Sequence, residues 1–310
     1  MHDIPAIRAV ELTKIYRLGV ALRPVEAVRS LNLDVFEGEI FAFLGLNGAG
    51  KTTTIKLLLG HARPTRGEAA LFGLNVRNPS ARARIGYLPD LPHFHRFLTA
   101  SELLDYTGRL FQQNAARRRS QSERLLKLTG LEGREREPLK GYSRGMLQRI
   151  GLAQALMNDP DLVILDEPLG GLDPQGRLEL RNIIASLRSE GKTVFFSSHI
   201  LDDAERIADR VGIIHQGRLR AVGRLDELLG AAQEWDVEII PDPGLDLEKL
   251  CVDIKCSIAK LPEGWILRAP DQESLKTVYG LAAEGRLKIN SVNRRRLTLE
   301  EAFMKALAQW

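Results

Sequence analysis

The run Gly45-Leu46-Asn47-Gly48-Ala49-Gly50-Lys51-Thr52 carries glycines, a lysine and a hydroxyl at the spacing that holds phosphate. Glycines at its first, fourth and sixth places let the backbone turn tightly and aim several N–H groups at one point. A helix starting there adds the partial positive charge of its dipole, so phosphate oxygens are the natural occupant. Asn47 and Ala49 complete the cradle, Lys51 reaches the terminal phosphates, and the Thr52 hydroxyl joins a Mg²⁺ shell with Thr53 in the same turn. Such a metal needs a carboxylate. Asp166 supplies it directly after the apolar run Leu162-Val163-Ile164-Leu165. Glu167, the next residue, points elsewhere and can polarise a water aimed at the last phosphate, acting as general base. Alone, an Asp-Glu pair at a strand end is as often a cap as a site. Beside a phosphate loop it reads as chemistry.

These residues require a strand before the loop and a helix after it. Ile40–Leu44 is a short apolar run of buried-strand character, and Thr53–Leu59 continues as an apolar-rich helix. Leu162–Leu165 and Thr193–Ser197 are two further core strands. With helical stretches between them, residues 1–229 predict an α/β domain on a largely parallel sheet, with functional groups at the carboxyl ends of its strands. Leu98 to Met157 reads mostly as helix, which predicts a helical subdomain over about 91–158. Patterning weakens at Gly230-Ala231-Ala232-Gln233, the expected domain boundary. Residues 234–310 then predict strands at Trp235–Ile240 and Trp265–Arg268, a helix over Gln272–Ala283, and a last amphipathic helix opened by Thr298 with Glu301 three residues on. No catalytic constellation is visible in this tail, and dimer stabilisation is its expected role in preference to small-molecule binding.

A chain of 310 residues accommodates two domains at about 150 residues each. Its 44 Lys and Arg against 40 Asp and Glu leave a formal charge of +4, too mild to argue for nucleic acid. The triplets Arg117-Arg118-Arg119 and Arg294-Arg295-Arg296 lie among polar and acidic residues and read as solvated faces. No apolar run approaches the ~20 residues that cross a bilayer, and Met1-His2-Asp3-Ile4-Pro5 lacks the design of a secretory signal. A soluble chain at the cytoplasmic side follows as the expectation. Cys251 and Cys256 are too few for a structural zinc site and read as packing thiols. His93 and His95 resemble a metal pair but have no further ligand nearby.

Three more segments carry a resemblance. Thr13-Lys14-Ile15-Tyr16, Tyr142-Ser143-Arg144-Gly145-Met146-Leu147-Gln148-Arg149 and Gly170-Gly171-Leu172-Asp173 are joined by His199 after Phe195-Phe196-Ser197-Ser198. Together with the phosphate loop they resemble the nucleotide-binding subunit of ATP-binding-cassette (ABC) transporters over residues ~8 to 229. The resemblance implies the ABC-type P-loop NTPase fold: a mostly parallel sheet, a helical subdomain and here a small C-terminal α+β domain. It implies ATP and Mg²⁺ as ligands and ATP hydrolysis as the reaction. Tyr16 becomes the aromatic that stacks on adenine, Ser143 and Gly145 the signature that receives a γ-phosphate, Asp173 the end of the D-loop, and His199 the switch histidine. In the family the signature reaches the nucleotide of a partner subunit. Two copies, or one copy and a homologue, therefore sandwich two ATP molecules head to tail, peripheral to the membrane and beneath a separate membrane-spanning permease.

The sequence departs from the family pattern at several places. Asp90, after Ile85-Gly86-Tyr87-Leu88-Pro89, stands where Gln is usual; it can still ligand Mg²⁺ or orient water, but its charge adds to an anionic site. Arg144 replaces a common Gly, Met146 a common Gln, and Leu46 a frequent Pro. The Tyr-Leu-Pro-acidic and Tyr-Ser-basic-Gly-Met runs, with Leu299-Glu300-Glu301-Ala302-Phe303 near the C-terminus, resemble the branch that exports drugs, polysaccharides or lipids. Leu91 to Tyr106, with Phe94, Phe97 and Leu98, are expected either to receive a coupling helix of the permease or to form subdomain core. The alternative function is a soluble ATPase of the same superfamily acting on ribosomes or DNA. One phosphate loop and no sustained heptads point away from it.

Overall fold

The computed structural model describes residues 4–18, 23–229, 234–294 and 298–308. The expected boundary at Gly230–Gln233, Met1–Asp3 and two members of the second basic triplet, Arg295 and Arg296, lie outside the described residues. Two compact units are present, the first made of the chain up to Leu225 and again from Ala306, the second covering Asp226–Lys305.

The first unit begins with two long strands, β1 (Ile7–Leu18) and β2 (Arg23–Val35), and then the short β3 (Ile40–Leu44) leads into α1 (Lys51–Leu58). There follow β4 (Arg66–Leu71), β5 (Leu74–Asn75), α2 (Pro79–Arg82) and β6 (Ile85–Leu88). A helical segment holds α3 (Ala100–Leu110), α4 (Ala115–Leu128) and α5 (Arg144–Leu156). The chain returns through β7 (Leu162–Leu165), α6 (Pro174–Ser189), β8 (Thr193–Ser198), α7 (Leu201–Ile207), β9 (Arg210–His215) and β10 (Arg218–Arg224).

Six strands form one sheet in the order β10-β9-β3-β8-β7-β6, parallel except for β10. Its central strands β3, β7 and β8 are buried at every residue, as apolar runs covered on both faces must be. A second sheet, β2-β1-β4-β5, is antiparallel throughout. The core lies between them. Ile7, Leu12, Val28 and Leu31 pack with Phe41, Phe43, Ile55, Leu58 and Phe195, and the Phe41 and Phe195 rings stack with centroids 5.8 Å apart.

The helical segment has clear local causes. Thr99 caps α3 in a full capping box with Glu102, Asn114 caps α4, and Ser143 caps α5. Arg118 and Arg119 of the first basic triplet pair with Asp105 and Glu123 at 2.6 and 3.0 Å.

The second unit opens with α8 (Leu225–Leu228), which starts at the junction, and continues as β11 (Trp235–Pro241), α9 (Leu247–Asp253), β12 (Ser257–Leu261), β13 (Gly264–Ala269), α10 (Gln272–Ala283) and β14 (Leu287–Arg294). The sheet order is β12-β13-β11-β14, wholly antiparallel. This β-α-β-β-α-β path is the ferredoxin-like split βαβ arrangement. Val237, Ile239, Leu267, Leu275, Val278 and Leu287 make a core of its own. Cys251 and Cys256 are free and half-buried, their Sγ atoms 3.0 Å apart. The described chain ends in α11 (Leu299–Ala308), where Thr298 and Glu301 exchange the expected capping-box bonds.

Candidate functional site

The site grows from the carboxyl end of β3. The Gly45 N–H donates to the Ser198 carbonyl at 3.2 Å, tying the ends of β3 and β8 together. Two glycines there have no room for a side chain. A β-carbon on Gly45 would lie 2.5 Å from the Ile214 carbonyl oxygen, and one on Gly50, at φ +112°, would run into the Ala27 carbonyl. Gly50 is the N-cap of α1 and offers no side chain to the first-turn N–H groups. Those groups have no carbonyl partner inside the helix and face the loop of Asn47, Gly48 and Ala49.

Lys51 is only 6% exposed. Its ammonium donates to the Gly45 carbonyl at 2.6 Å and the Leu46 carbonyl at 3.3 Å, and it pairs with Glu167 Oε1 at 2.9 Å. The other carboxylate oxygen of Glu167 meets His199 Nδ1 at 2.7 Å. Lysine, glutamate and histidine therefore form one continuous polar chain across the ends of β3, β7 and β8. Glu167 holds the left-handed φ of +49°, unusual for a side chain of this kind. Its N–H is anchored by donating to Ser197 Oγ at 2.9 Å.

Asp166 sits behind this chain, 2% exposed. It accepts from Ser197 Oγ at 2.7 Å and from Thr52 Oγ1 at 3.3 Å, both on Oδ1. Burial pushes its carboxyl above the ordinary range, and the charges of Glu167 and Asp90 add to that push against the two hydroxyl bonds. The same burial and the same carboxylates, Asp166 and Asp90, raise the Tyr87 phenol to about 12. Negative charge is thus concentrated here with hydroxyl and carboxylate oxygens beside it. No cluster of three His, Cys, Asp or Glu side chains is arranged as metal ligands among the described residues. A Thr-Asp oxygen pair suits a hard ion that keeps several waters and takes its remaining ligands from phosphate, the habit of Mg²⁺.

Other expected residues stand apart from this cluster. Tyr16 pairs with Val25 in the β1–β2 hairpin, its ring centroid 4.9 Å from the Lys14 ammonium. Ser143 accepts from the Met146 N–H at 3.3 Å as N-cap of α5, with Gly145 half-buried beside it. Asp173 accepts from the Gly176 N–H at 2.7 Å as N-cap of α6. Asp90 is held by its backbone, whose carbonyl accepts from Gln148 Nε2 of α5 at 2.8 Å. After it the chain exposes apolar groups: Leu91 is 57%, Phe97 85% and Tyr106 55% exposed. Phe94 is instead half-buried.

Ser197 and Gln148 are site residues that reading the sequence missed. Pairing of Leu165 with Phe196 sets Asp166 beside Ser197. That register, deduced by aligning two apolar runs that both end in polar residues, was the available signal.

Comparison with known proteins gives the family. Residues 28–170 match the family described as ABC transporter. An uncharacterized ABC transporter ATP-binding protein of Nostoc sp. is 40% identical over 303 residues, covering 96% of this chain and 88% of the relative. One from Synechocystis sp. is 46% identical over 230 residues, covering 73% of this chain and 65% of the relative. The Nod factor export ATP-binding protein I of Paraburkholderia xenovorans is 40% identical over 70% of this chain and 72% of its own. Among solved structures, the dimeric structure of a bacterial ABC transporter cassette superposes with TM-score 0.65 at 26% identity, over 71% of this chain and 99% of the cassette. The chain belongs to the ABC transporter family, as an ATP-binding subunit whose ATP hydrolysis drives transport.

Proposed function

We propose that the Gly45–Thr53 cradle binds the phosphates of ATP, that Tyr16 stacks on the adenine, and that Glu167 is the general base of hydrolysis. The observation that carries this reading is the chain Lys51–Glu167–His199, at 2.9 and 2.7 Å, lying over the buried Asp166. Lys51 exchanges Glu167 for phosphate oxygens when they enter, because a polyphosphate offers it more negative charge than one carboxylate. Glu167 is then free to take a proton from water, with His199 orienting its carboxylate and reaching the γ-phosphate. Thr52 and Asp166, with Asp90 near them, hold Mg²⁺, which supplies charge neutralisation at the phosphates. An extra carboxylate at Asp90 slows hydrolysis relative to a neutral amide at the same place.

Ser143, Gly145 and Asp173 complete the site of a second subunit in a head-to-tail pair. Ser143 and Gly145 lie at the start of α5, whose first-turn N–H groups suit an anion, whereas Asp173 caps the start of α6 with its own carboxylate. The exposed groups Leu91, Phe97 and Tyr106 receive a segment of a membrane-spanning permease, which keeps this subunit at the membrane surface. No helix among the described residues is long and apolar enough to cross a membrane itself. Outward transport is supported by the exporter-like motifs and by the Nod factor export relative.

The test is Glu167→Gln. General-base loss lowers the ATPase rate by about 10²- to 10⁴-fold, while equilibrium binding of Mg²⁺-ATP, followed by fluorescence of a labelled analogue, persists. A variant that still hydrolyses at the wild-type rate would remove Glu167 from this role.

A further inference from the structure

Two departures from the family pattern, Asp90 and Arg144, flank one dipeptide in the fold. A β-carbon built on Gly171 would lie 2.5 Å from Arg144 Cζ and 2.8 Å from its Nη2, so the guanidinium fills the place a side chain at Gly171 would take. Gly171 has φ +66°, an angle that L side chains rarely adopt, and its missing side chain leaves the space that the guanidinium fills. On the adjoining residue, a β-carbon at Gly170 would stand 3.9 Å from Asp90 Oδ1. Gly145 continues the same contact, its β-position 3.9 Å from Leu172 Cδ2.

One helix organises all of this. Arg144 and Gly145 are the first residues of α5, and Gln148, one turn on, holds the Asp90 carbonyl. Arg149 follows and pairs with Glu179 of α6 at 3.3 Å. Helix α6 is itself capped by Asp173, the last residue of the glycine-containing loop. The loop is also fixed at its start, where the Gly170 N–H donates to the Glu167 carbonyl at 3.0 Å.

We propose that Arg144 is a positioning residue that locks the Ser143 turn and the Gly170–Asp173 loop of the same chain into one block. A small residue at position 144 leaves the two segments tied more loosely, through the Arg149–Glu179 pair of their helices. With Arg144 in place they are presented together, and any shift of the loop reaches Glu167 through the Gly170 bond. This rests on the reading that Ser143 and Asp173 complete the site of a second copy.

The experiment is ATP-driven dimerisation, by sedimentation of full-length protein in the Glu167→Gln background. Arg144→Ala weakens dimerisation by about tenfold, and Arg144→Lys, which keeps the stem and the charge, recovers part of it. Gly171→Ala also weakens it, and the Arg144→Ala/Gly171→Ala double variant is no worse than Gly171→Ala alone, because the added methyl then fills the space the guanidinium left. Melting temperature and ATP binding by the monomer stay unchanged in Arg144→Ala, which a merely structural role would not allow. Equal dimerisation of Arg144→Ala and its parent, or strictly additive effects, overturns the proposal. A parent that fails to dimerise with ATP overturns instead the composite-site reading beneath it.

Discussion

The two halves of the proposed nucleotide site are built in opposite ways. The half around Lys51 is wired together before any ligand arrives: lysine, two carboxylates, histidine and the Thr52 and Ser197 hydroxyls already bond one another at the ends of adjacent strands. The half around Ser143 and Asp173 contains two capped helix starts whose side chains bond only to their own first turns. The buried half carries a concentrated negative charge behind its phosphate cradle. The exposed half has nothing of its own chain to act upon. Such an asymmetry is what a site divided between two subunits requires, because each subunit supplies the chemistry of one site and the lid of the other.

If that contrast is correct, variants on the two halves fail differently. Lys51→Ala removes a charge-assisted contact to phosphate and lowers ATP affinity of the isolated monomer by roughly 10- to 100-fold. Ser143→Arg leaves that affinity within about twofold and instead abolishes steady-state hydrolysis, since it takes the signature hydroxyl away from the γ-phosphate in the facing cradle. Titration of labelled ATP beside an ATPase assay separates the two outcomes. Equal loss of monomer binding in both variants would erase the distinction between the halves.

A smaller effect sharpens the electrostatic side of the comparison. Asp166 has its carboxyl raised by burial, so its contribution to stability is complete below the ordinary value near 3.9 and is lost as pH rises through the raised folded value. Asp166→Asn removes that loss. In the absence of nucleotide and Mg²⁺ the variant melts above wild type at pH 7. The gap closes as pH falls toward 4. Excess Mg²⁺-ATP reverses the order, because only the carboxylate holds the cation. A variant less stable than wild type at every pH would show that Asp166 is not strained in the empty site.

Legibility from sequence followed the same divide. Gly45–Thr52, Asp166 and Glu167 stand at the ends of fully buried apolar runs, where pattern and chemistry coincide. Tertiary pairing did not announce itself. Ser197 gained its role from the register of β7 on β8, and Gln148 from the contact of α5 with the Asp90 backbone. The antiparallel β2-β1-β4-β5 sheet was absent from the expectation because β2 is exposed at alternate and terminal positions and dilutes its apolar signal. In the second unit, Trp235–Ile240 and Gln272–Ala283 were visible, whereas β14, Leu-Lys-Ile-Asn-Ser-Val-Asn-Arg, is half polar and bulged where it meets β11. Arg144 was visible as a departure, but its partner Gly171 was not, since no spacing rule joins a helix start to a loop more than a domain segment away.

The central claim, that one site is made from two chains, is tested most directly by mixing two dead variants. Lys51→Ala and Ser143→Arg subunits are each inactive alone, since every pair carries two spoiled sites. In a mixed pair, the cradle of the Ser143→Arg chain meets the intact signature of the Lys51→Ala chain. Equal mixing by random pairing, assayed for ATP hydrolysis, restores roughly a quarter of wild-type activity, because half of the pairs are mixed and each has one intact site of two. A mixture as inactive as its components would contradict the account.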